Sequence, residues 1–216
     1  MMLNNKVAVI YGAGGAIGSA VARAFARDGA KLFLTGLHLA AVEVVAKEVN
    51  SAGGSAEAAE VDALDEQAVD KHLQSVIAKA GRVDISFNAV GIPNPRNRVP
   101  LVELDVEQFS LPIATYTRSY FLTARLAARH MVSNKSGVIM AVTATPSRTG
   151  VPLVGGAGPA MAAMEALTRG LSVELAPQGI RVVGLRPQGC RKQAGSRMSS
   201  GSVPRHWELP RSSSTS

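Results

Sequence analysis

The chain has 216 residues, 46% of them hydrophobic and 18% charged, and a formal net charge of +7; this is typical of a soluble globular protein large enough for one well-packed domain. No apolar run approaches the roughly 18 residues that cross a bilayer, and the N-terminus has no secretory leader pattern, so we expect no membrane partner. The only cysteine, Cys190, excludes an internal disulfide framework and a cysteine-rich metal site, so no metal is predicted and a cytoplasmic location is favoured.

The first predicted elements are a strand, a glycine-rich turn and a helix. The apolar run Lys6–Ile10 leads into the turn Tyr11-Gly-Ala-Gly-Gly-Ala-Ile-Gly18, and helical spacing follows. Glycines let backbone amides approach a pyrophosphate, whose charge then faces the positive end of the helix. The order of elements predicts a dinucleotide-binding turn, and a sharp structural turn without a ligand is the alternative. The residues expected at the phosphates are Gly12, Gly14, Gly15, Ile17 and Gly18.

Apolar runs alternate with helical periodicity along the rest of the chain as far as Pro187. Further strands are predicted over residues 31–35, 55–62, 83–88, 137–142 and 181–185. Strands that are apolar throughout and alternate with helices predict a doubly wound α/β fold, a Rossmann-type parallel sheet of about six strands with helices on both faces. Such sheets bind ligands at the carboxyl ends of their strands.

The last part of the chain differs in composition. Residues 190–216 contain eight serines, five basic residues and one acid, so they carry +4 of the net charge of +7. We expect residues 1–189 to form a dinucleotide-binding domain and residues 190–216 to be a basic, Ser-rich, disordered tail. The tail could touch nucleic acid non-specifically, but the mildly basic body makes nucleic acid an unlikely partner.

Together these segments resemble the short-chain dehydrogenase/reductase family over nearly all of residues 6–187. The turn is similar to the family's T-G-x-x-x-G-x-G, with Tyr11 in place of threonine, and residues 84–91 are similar to the segment that ends N-N-A-G. The resemblance implies an NAD(P)-binding oxidoreductase in which Asp62 touches the adenine. The other cofactor contacts that it implies are Leu37, His38, Ala63, Asn88, Ala89, Gly91, Val142 and Pro187.

The family's catalytic positions are occupied by different residues in this sequence. The family uses a tyrosine and a lysine for acid-base catalysis, a serine that orients substrate and an asparagine. These positions correspond to Ala157, Met161, Ala144 and Tyr116, respectively. Alanine and methionine cannot move a proton, and no tyrosine follows Tyr120. The remaining hydroxyl candidates are Tyr116, Tyr120 and Thr143, with core packing of Tyr120 and a strand end at Thr143 as the alternative.

The choice between NAD and NADP depends on the end of the second strand. NAD-preferring members of the family carry an acid there, and NADP-preferring members carry a basic residue just after it. This sequence has Gly36 and Leu37, followed by His38. Because no acid repels a 2'-phosphate, the sequence favours NADP, and NAD stays open.

Two functions therefore stay open. The chain is an NAD(P)-dependent oxidoreductase with impaired or absent catalysis, or it is a catalytically silent member that binds a dinucleotide or a partner protein; in either case the sequence does not identify a substrate.

The family continues beyond Pro187 with a helix pair and a seventh strand, so we expect a truncated chain whose tail is native or the product of a frameshift. Without the seventh strand, residues 181–185 would form an exposed edge that permits a homo-oligomer.

Overall fold

The computed structural model describes residues 1–92 and 99–187. Within these ranges, six parallel strands lie in one sheet of order β3-β2-β1-β4-β5-β6. The strands are β1 (Val7–Tyr11), β2 (Lys31–Gly36), β3 (Ser55–Glu60), β4 (Ile85–Asn88), β5 (Gly137–Val142) and β6 (Ile180–Leu185). The helices are α1 (Ala16–Arg27), α2 (Leu39–Ser51), α3 (Glu66–Ala80), α4 (Val106–Asn134) and α5 (Ala157–Leu175).

The architecture confirms the predicted doubly wound sheet. One hydrophobic cluster packs α1 and α2 against one face, and a second cluster packs α3, α4 and α5 against the other. All residues of β1 and β4 are buried, as expected for central strands covered on both sides. The strand order reverses between β1 and β4, which creates the crevice where such sheets bind ligands.

The structure shortens the predicted third strand. It ends at Glu60 instead of Asp62, because the Asp62 carboxylate accepts a hydrogen bond from the Leu64 N–H at 2.8 Å. This local turn bends the chain away from the sheet.

Strand β6 forms one edge of the sheet within the described residues. Its side chains alternate between buried and exposed only at the start, and Val183 and Leu185 are exposed. The expected exposed edge is therefore present in this part of the chain.

The predicted basic tail, residues 190–216, lies outside the described residues. Among the helices of residues 1–92 and 99–187, none has the length and apolar character needed to cross a membrane.

A half-buried histidine on α3 makes the stability of the domain depend on pH. The His72 ring lies edge-on to Phe33, with 6.5 Å between the ring centroids, and its Nδ1 is buried without a hydrogen-bond partner in the described residues. Burial, together with the nearby Lys79 ammonium, lowers the pKa of His72 from 6.5 to about 4, although the Glu57 carboxylate opposes the shift. The folded state therefore resists protonation of this ring more strongly than the unfolded chain does.

We expect this histidine to weaken the fold in acid. Between pH 6.5 and about 4 the unfolded chain binds a proton that the folded state does not, so the free energy of unfolding falls by up to about 3 kcal/mol as the pH decreases. His72→Gln should remove this contribution, and urea unfolding at several values of pH between 7 and 4.5 measures it. Equal pH dependence in the two proteins would contradict the assignment.

Candidate functional site

A cavity of about 650 Å³ lies at the carboxyl ends of the strands on either side of the point where the strand order reverses. Its walls come from the glycine turn after β1, the end of β2, the segments after β3 and β4, the first turns of α1 and α2, and one residue of α4. Ten of the predicted cofactor contacts line it: Gly12, Gly14, Gly15, Ile17, Leu37, His38, Asp62, Ala63, Ala89 and Gly91.

The other four predicted contacts do not line the cavity. Gly18 is buried beneath the turn. Asn88 is also buried; its Nδ2 donates to Thr123 Oγ1 at 3.1 Å, and its Oδ1 accepts from the Val90 N–H at 3.2 Å. It therefore braces the segment after β4 against α4. Val142 ends β5, and Pro187 follows β6 by two residues, on the same edge of the sheet as the cavity.

The glycine turn is built by close backbone approaches that a side chain would block. Gly12 has φ +75°, and a Cβ there would lie 2.5 Å from Ala89 O. A Cβ at Gly18 would lie 2.3 Å from Gly12 O, so α1 and the turn can pack only with glycine at this position. Gly15 differs, because a Cβ there would meet only Gly12 O, at 3.4 Å. Gly12 and Gly18 are therefore needed by the fold, whereas a side chain at Gly15 would extend toward the cavity without a close contact to the protein backbone.

The N-terminus of α1 is suited to bind an anion. Helices α3 and α4 are capped by the preceding residues Asp65 and Asp105, whose carboxylates accept hydrogen bonds from backbone N–H groups of the first turn. Helix α1 begins after Gly15 and, like α2 and α5, has no side-chain cap in the described residues. Ala16 and Ile17 line the cavity at this end. An anion in the cavity would satisfy the N–H groups of the first turn and face the positive end of the helix dipole.

The opposite end of the cavity, near β2 and β3, carries little charge. Among the described residues that line the cavity, only His38 and Asp62 are ionisable, and none of those at the end of β2 is an acid. Leu37 is 60% exposed beside them. The structure adds Ala41 and Val42 of α2 to this wall. Sequence reasoning missed them because they become neighbours of the turn only when α2 folds back, where a Cβ at Gly14 would lie 2.9 Å from Ala41 Cβ.

The position of Tyr116 differs from that of the other tyrosine on α4. Tyr116 is half-buried, and its hydroxyl oxygen accepts a long hydrogen bond, 3.5 Å, from the N–H of Ile92, a residue that lines the cavity. The Tyr120 side chain is buried, and its hydroxyl lies 3.1 Å from Thr168 Oγ1, between α4 and α5. Burial raises the pKa of Tyr120, which the contact with Thr168 only partly offsets. Tyr120 is therefore a packing residue, and Tyr116 is the phenol next to the cavity.

The other residues that the sequence predicts at the family's catalytic positions have no side-chain proton to donate. Ala157 is the first residue of α5, and Met161, one turn later, is 6% exposed. Ala144 lies just beyond β5 and packs against the cluster beneath α4 and α5. The neighbouring Thr143 is buried, and its hydroxyl donates to the Glu165 carboxylate at 3.3 Å. Its proton is thus directed into the protein.

Comparison with known proteins agrees with this architecture. A model of the short chain dehydrogenase family matches residues 6–201. The chain therefore belongs to the short chain dehydrogenase family. The match extends beyond Pro187, the residue at which the resemblance of the sequence motifs ends.

Individual relatives are about a quarter to a third identical to this chain over the aligned residues. The 7alpha-hydroxysteroid dehydrogenase of Escherichia coli K12 is 29% identical over 194 residues, which cover 87% of this chain and 72% of the relative. A crystal structure of NAD+-bound xylitol dehydrogenase has a TM-score of 0.82 and 27% identity, covering 87% of this chain and 71% of that one. A metagenomic short-chain oxidoreductase in complex with NADP has a TM-score of 0.80 and 26% identity, covering 88% and 85%.

Proposed function

We propose that this chain binds a nicotinamide dinucleotide, NADP in preference to NAD, in the cavity beside the glycine turn, and acts as an oxidoreductase with weakened catalysis. The observation that carries the proposal is the uncapped N-terminus of α1 facing a cavity at the point where the strand order reverses. The solved relatives with bound NAD+ and NADP support it.

The residues of the cavity suit the two halves of such a ligand. The pyrophosphate would lie against Gly14, Gly15 and the first turn of α1, where backbone N–H groups replace the water that otherwise solvates its charge. The adenosine half would extend toward Leu37 and Asp62, and the apolar wall there would cover the adenine ring. The bound nicotinamide would supply the hydride.

The direct test of this proposal is a fluorescence titration of the purified protein with NADPH and with NADH. We expect saturable binding of NADPH, with a dissociation constant in the range of about 1 μM to 1 mM that is common for enzyme ligands, and weaker binding of NADH. If neither nucleotide changes the fluorescence or the melting temperature, the proposal is wrong.

The preference for NADP has its own prediction at Leu37. Leu37→Asp places a carboxylate where it can bind the ribose hydroxyls of NADH and repel the 2'-phosphate of NADPH. We expect the ratio of NADPH to NADH affinity to fall by roughly 10-fold to 100-fold, equivalent to about 1.4 to 2.7 kcal/mol. Leu37→Asn is the matched control, since it has the same shape without the charge and should leave the ratio near that of the wild type. Equal ratios in both variants would argue against this site for the 2'-phosphate.

A second candidate function is a catalytically silent dinucleotide-binding protein. Ala144, Ala157 and Met161 favour it, because none can donate a proton or stabilise a developing oxyanion. Turnover separates the two functions: NADPH oxidation with a panel of aldehydes and ketones supports the enzyme, and binding without turnover supports the silent member. If turnover is found, Tyr116→Phe tests the phenol beside the cavity, and an unchanged rate would remove it as the acid.

A further inference from the structure

Glu165 forms the centre of a polar cluster that the proposed function does not use. The side chain of this α5 residue is only 11% exposed. Its carboxylate accepts hydrogen bonds from four side chains. The donors are Ser147 Oγ at 2.7 Å, Arg186 Nε at 2.9 Å, Arg148 Nε at 3.2 Å and Thr143 Oγ1 at 3.3 Å.

These donors come from two segments that are otherwise far apart in the sequence. Thr143, Ser147 and Arg148 follow β5, in and around the short 3-10 helix Thr145–Ser147, and Arg186 follows β6. Both segments therefore leave the sheet at its carboxyl edge, the same edge as the cavity. Glu165 connects them to each other and to α5.

The charges strengthen the hydrogen bonds of Glu165 and keep its carboxylate ionised. Partial burial raises the pKa of the Glu165 carboxyl, but the hydrogen bonds from Ser147, Arg186 and Arg148 together outweigh burial and lower the pKa to about 2. The group is therefore ionised at any pH at which the protein is handled, and its bonds to the two guanidinium groups are charge-assisted. Without Glu165, both segments would lose their common acceptor and the two arginines would repel each other.

The location of the cluster relates it to one half of the proposed ligand. In the proposed binding mode the pyrophosphate and adenosine side lies in the part of the cavity next to β1, β2 and β3, and the cavity continues to the segment after β4. A dinucleotide crosses the reversal point of a doubly wound sheet, so its other half must extend toward the ends of β4, β5 and β6. Thr143 adjoins Val142 and Arg186 adjoins Pro187, the two predicted cofactor contacts on that side.

We propose that Glu165 is a positioning residue for the nicotinamide half of the dinucleotide: by binding Thr143, Ser147, Arg148 and Arg186 it holds the segments after β5 and β6 in the arrangement that receives this half. This inference rests on the proposed dinucleotide binding. It assigns no contact between Glu165 and the ligand, and it predicts that the adenosine half binds independently of Glu165.

Calorimetric titration with two ligands tests the proposal. NADPH spans both halves of the site, and 2',5'-ADP carries only the adenosine half with its 2'-phosphate. For Glu165→Ala we expect NADPH affinity to fall about 10-fold and 2',5'-ADP affinity to stay within 2-fold of the wild type. Glu174→Ala is the matched control, because Glu174 is an exposed acid on the same helix and its removal should change neither affinity.

Each outcome decides the question. Equal losses for NADPH and 2',5'-ADP would show a purely structural role for Glu165, and no loss for either would show no role; both results overturn the inference while leaving dinucleotide binding intact. A wild-type protein that binds neither ligand overturns the proposed function and this inference with it. If Glu165→Ala does not fold, Arg186→Met removes a single donor, and a loss of about 3-fold for NADPH alone is then the expected result. Equal affinities for NADPH in Arg186→Met and the wild type would overturn the inference.

Discussion

Gly15→Val is expected to lower NADPH affinity at least 100-fold while the melting temperature stays within roughly 2 °C of the wild type. The backbone at Gly15, with φ −78° and ψ 166°, is extended, a conformation that valine favours. A Cβ there would meet only Gly12 O, at 3.4 Å, and Gly15 is exposed at the cavity, so the methyl groups of valine have open space on that side. The two methyl groups would, however, fill the space through which a pyrophosphate reaches the first turn of α1.

Two other glycine variants make this result specific. Gly150→Val changes a glycine at which a Cβ would meet no heavy atom of the described residues within 4 Å, and it should alter neither binding nor stability. Gly18→Ala should unfold the turn itself, since its Cβ would lie 2.3 Å from Gly12 O. If Gly15→Val binds NADPH as the wild type does, the pyrophosphate does not lie at this turn.

Restoring the family's acid-base residues should increase catalysis by roughly 10²-fold to 10⁴-fold, the contribution usual for a positioned general acid. The variant combines Ala144→Ser, Ala157→Tyr and Met161→Lys. The phenol would donate the proton that a reduced carbonyl needs, and the ammonium would lower its pKa. Since Met161 is 6% exposed, the new lysine loses solvation on burial, and we expect the melting temperature to fall.

The matched control replaces Ala157 with phenylalanine in place of tyrosine and keeps the other two changes. It adds the same ring without the hydroxyl, so it should gain little or no activity. The measurement is kcat/KM for NADPH oxidation with the best substrate of a carbonyl panel. Equal rates for the phenylalanine and tyrosine variants would show that Ala157 is not at the family's proton-donor position.

Much of the fold could be predicted from local patterns. Buried parallel strands are apolar at every position, so the run 137–142 predicts a strand with the bounds that the structure has. The residue at which a strand ends in a turn is harder to predict. At the end of β3, for example, the Asp62 side chain accepts a hydrogen bond from the Leu64 N–H. Such a bond depends on a single rotamer and leaves no periodic signal in the sequence.

The site could be predicted well where it is made of backbone and less well where it is made of side chains. The glycine turn follows from spacing, and most of the residues expected at the cofactor do line the cavity. The Asn88 side chain instead binds Thr123 of α4, a contact that depends on tertiary packing. Sequence reasoning missed the cluster around Glu165 for the same reason, since residues 143, 147, 148, 165 and 186 share no spacing and meet only in the folded protein.

A crystal structure of the protein with NADPH tests dinucleotide binding at the glycine turn most directly. We expect the pyrophosphate to lie within about 3.2 Å of the N–H groups of Ala16 or Ile17, and Ala157 and Met161 to be the residues of α5 nearest to the nicotinamide ring. A dinucleotide bound away from the glycine turn, or an ionisable side chain of α5 in contact with the nicotinamide, would contradict this expectation.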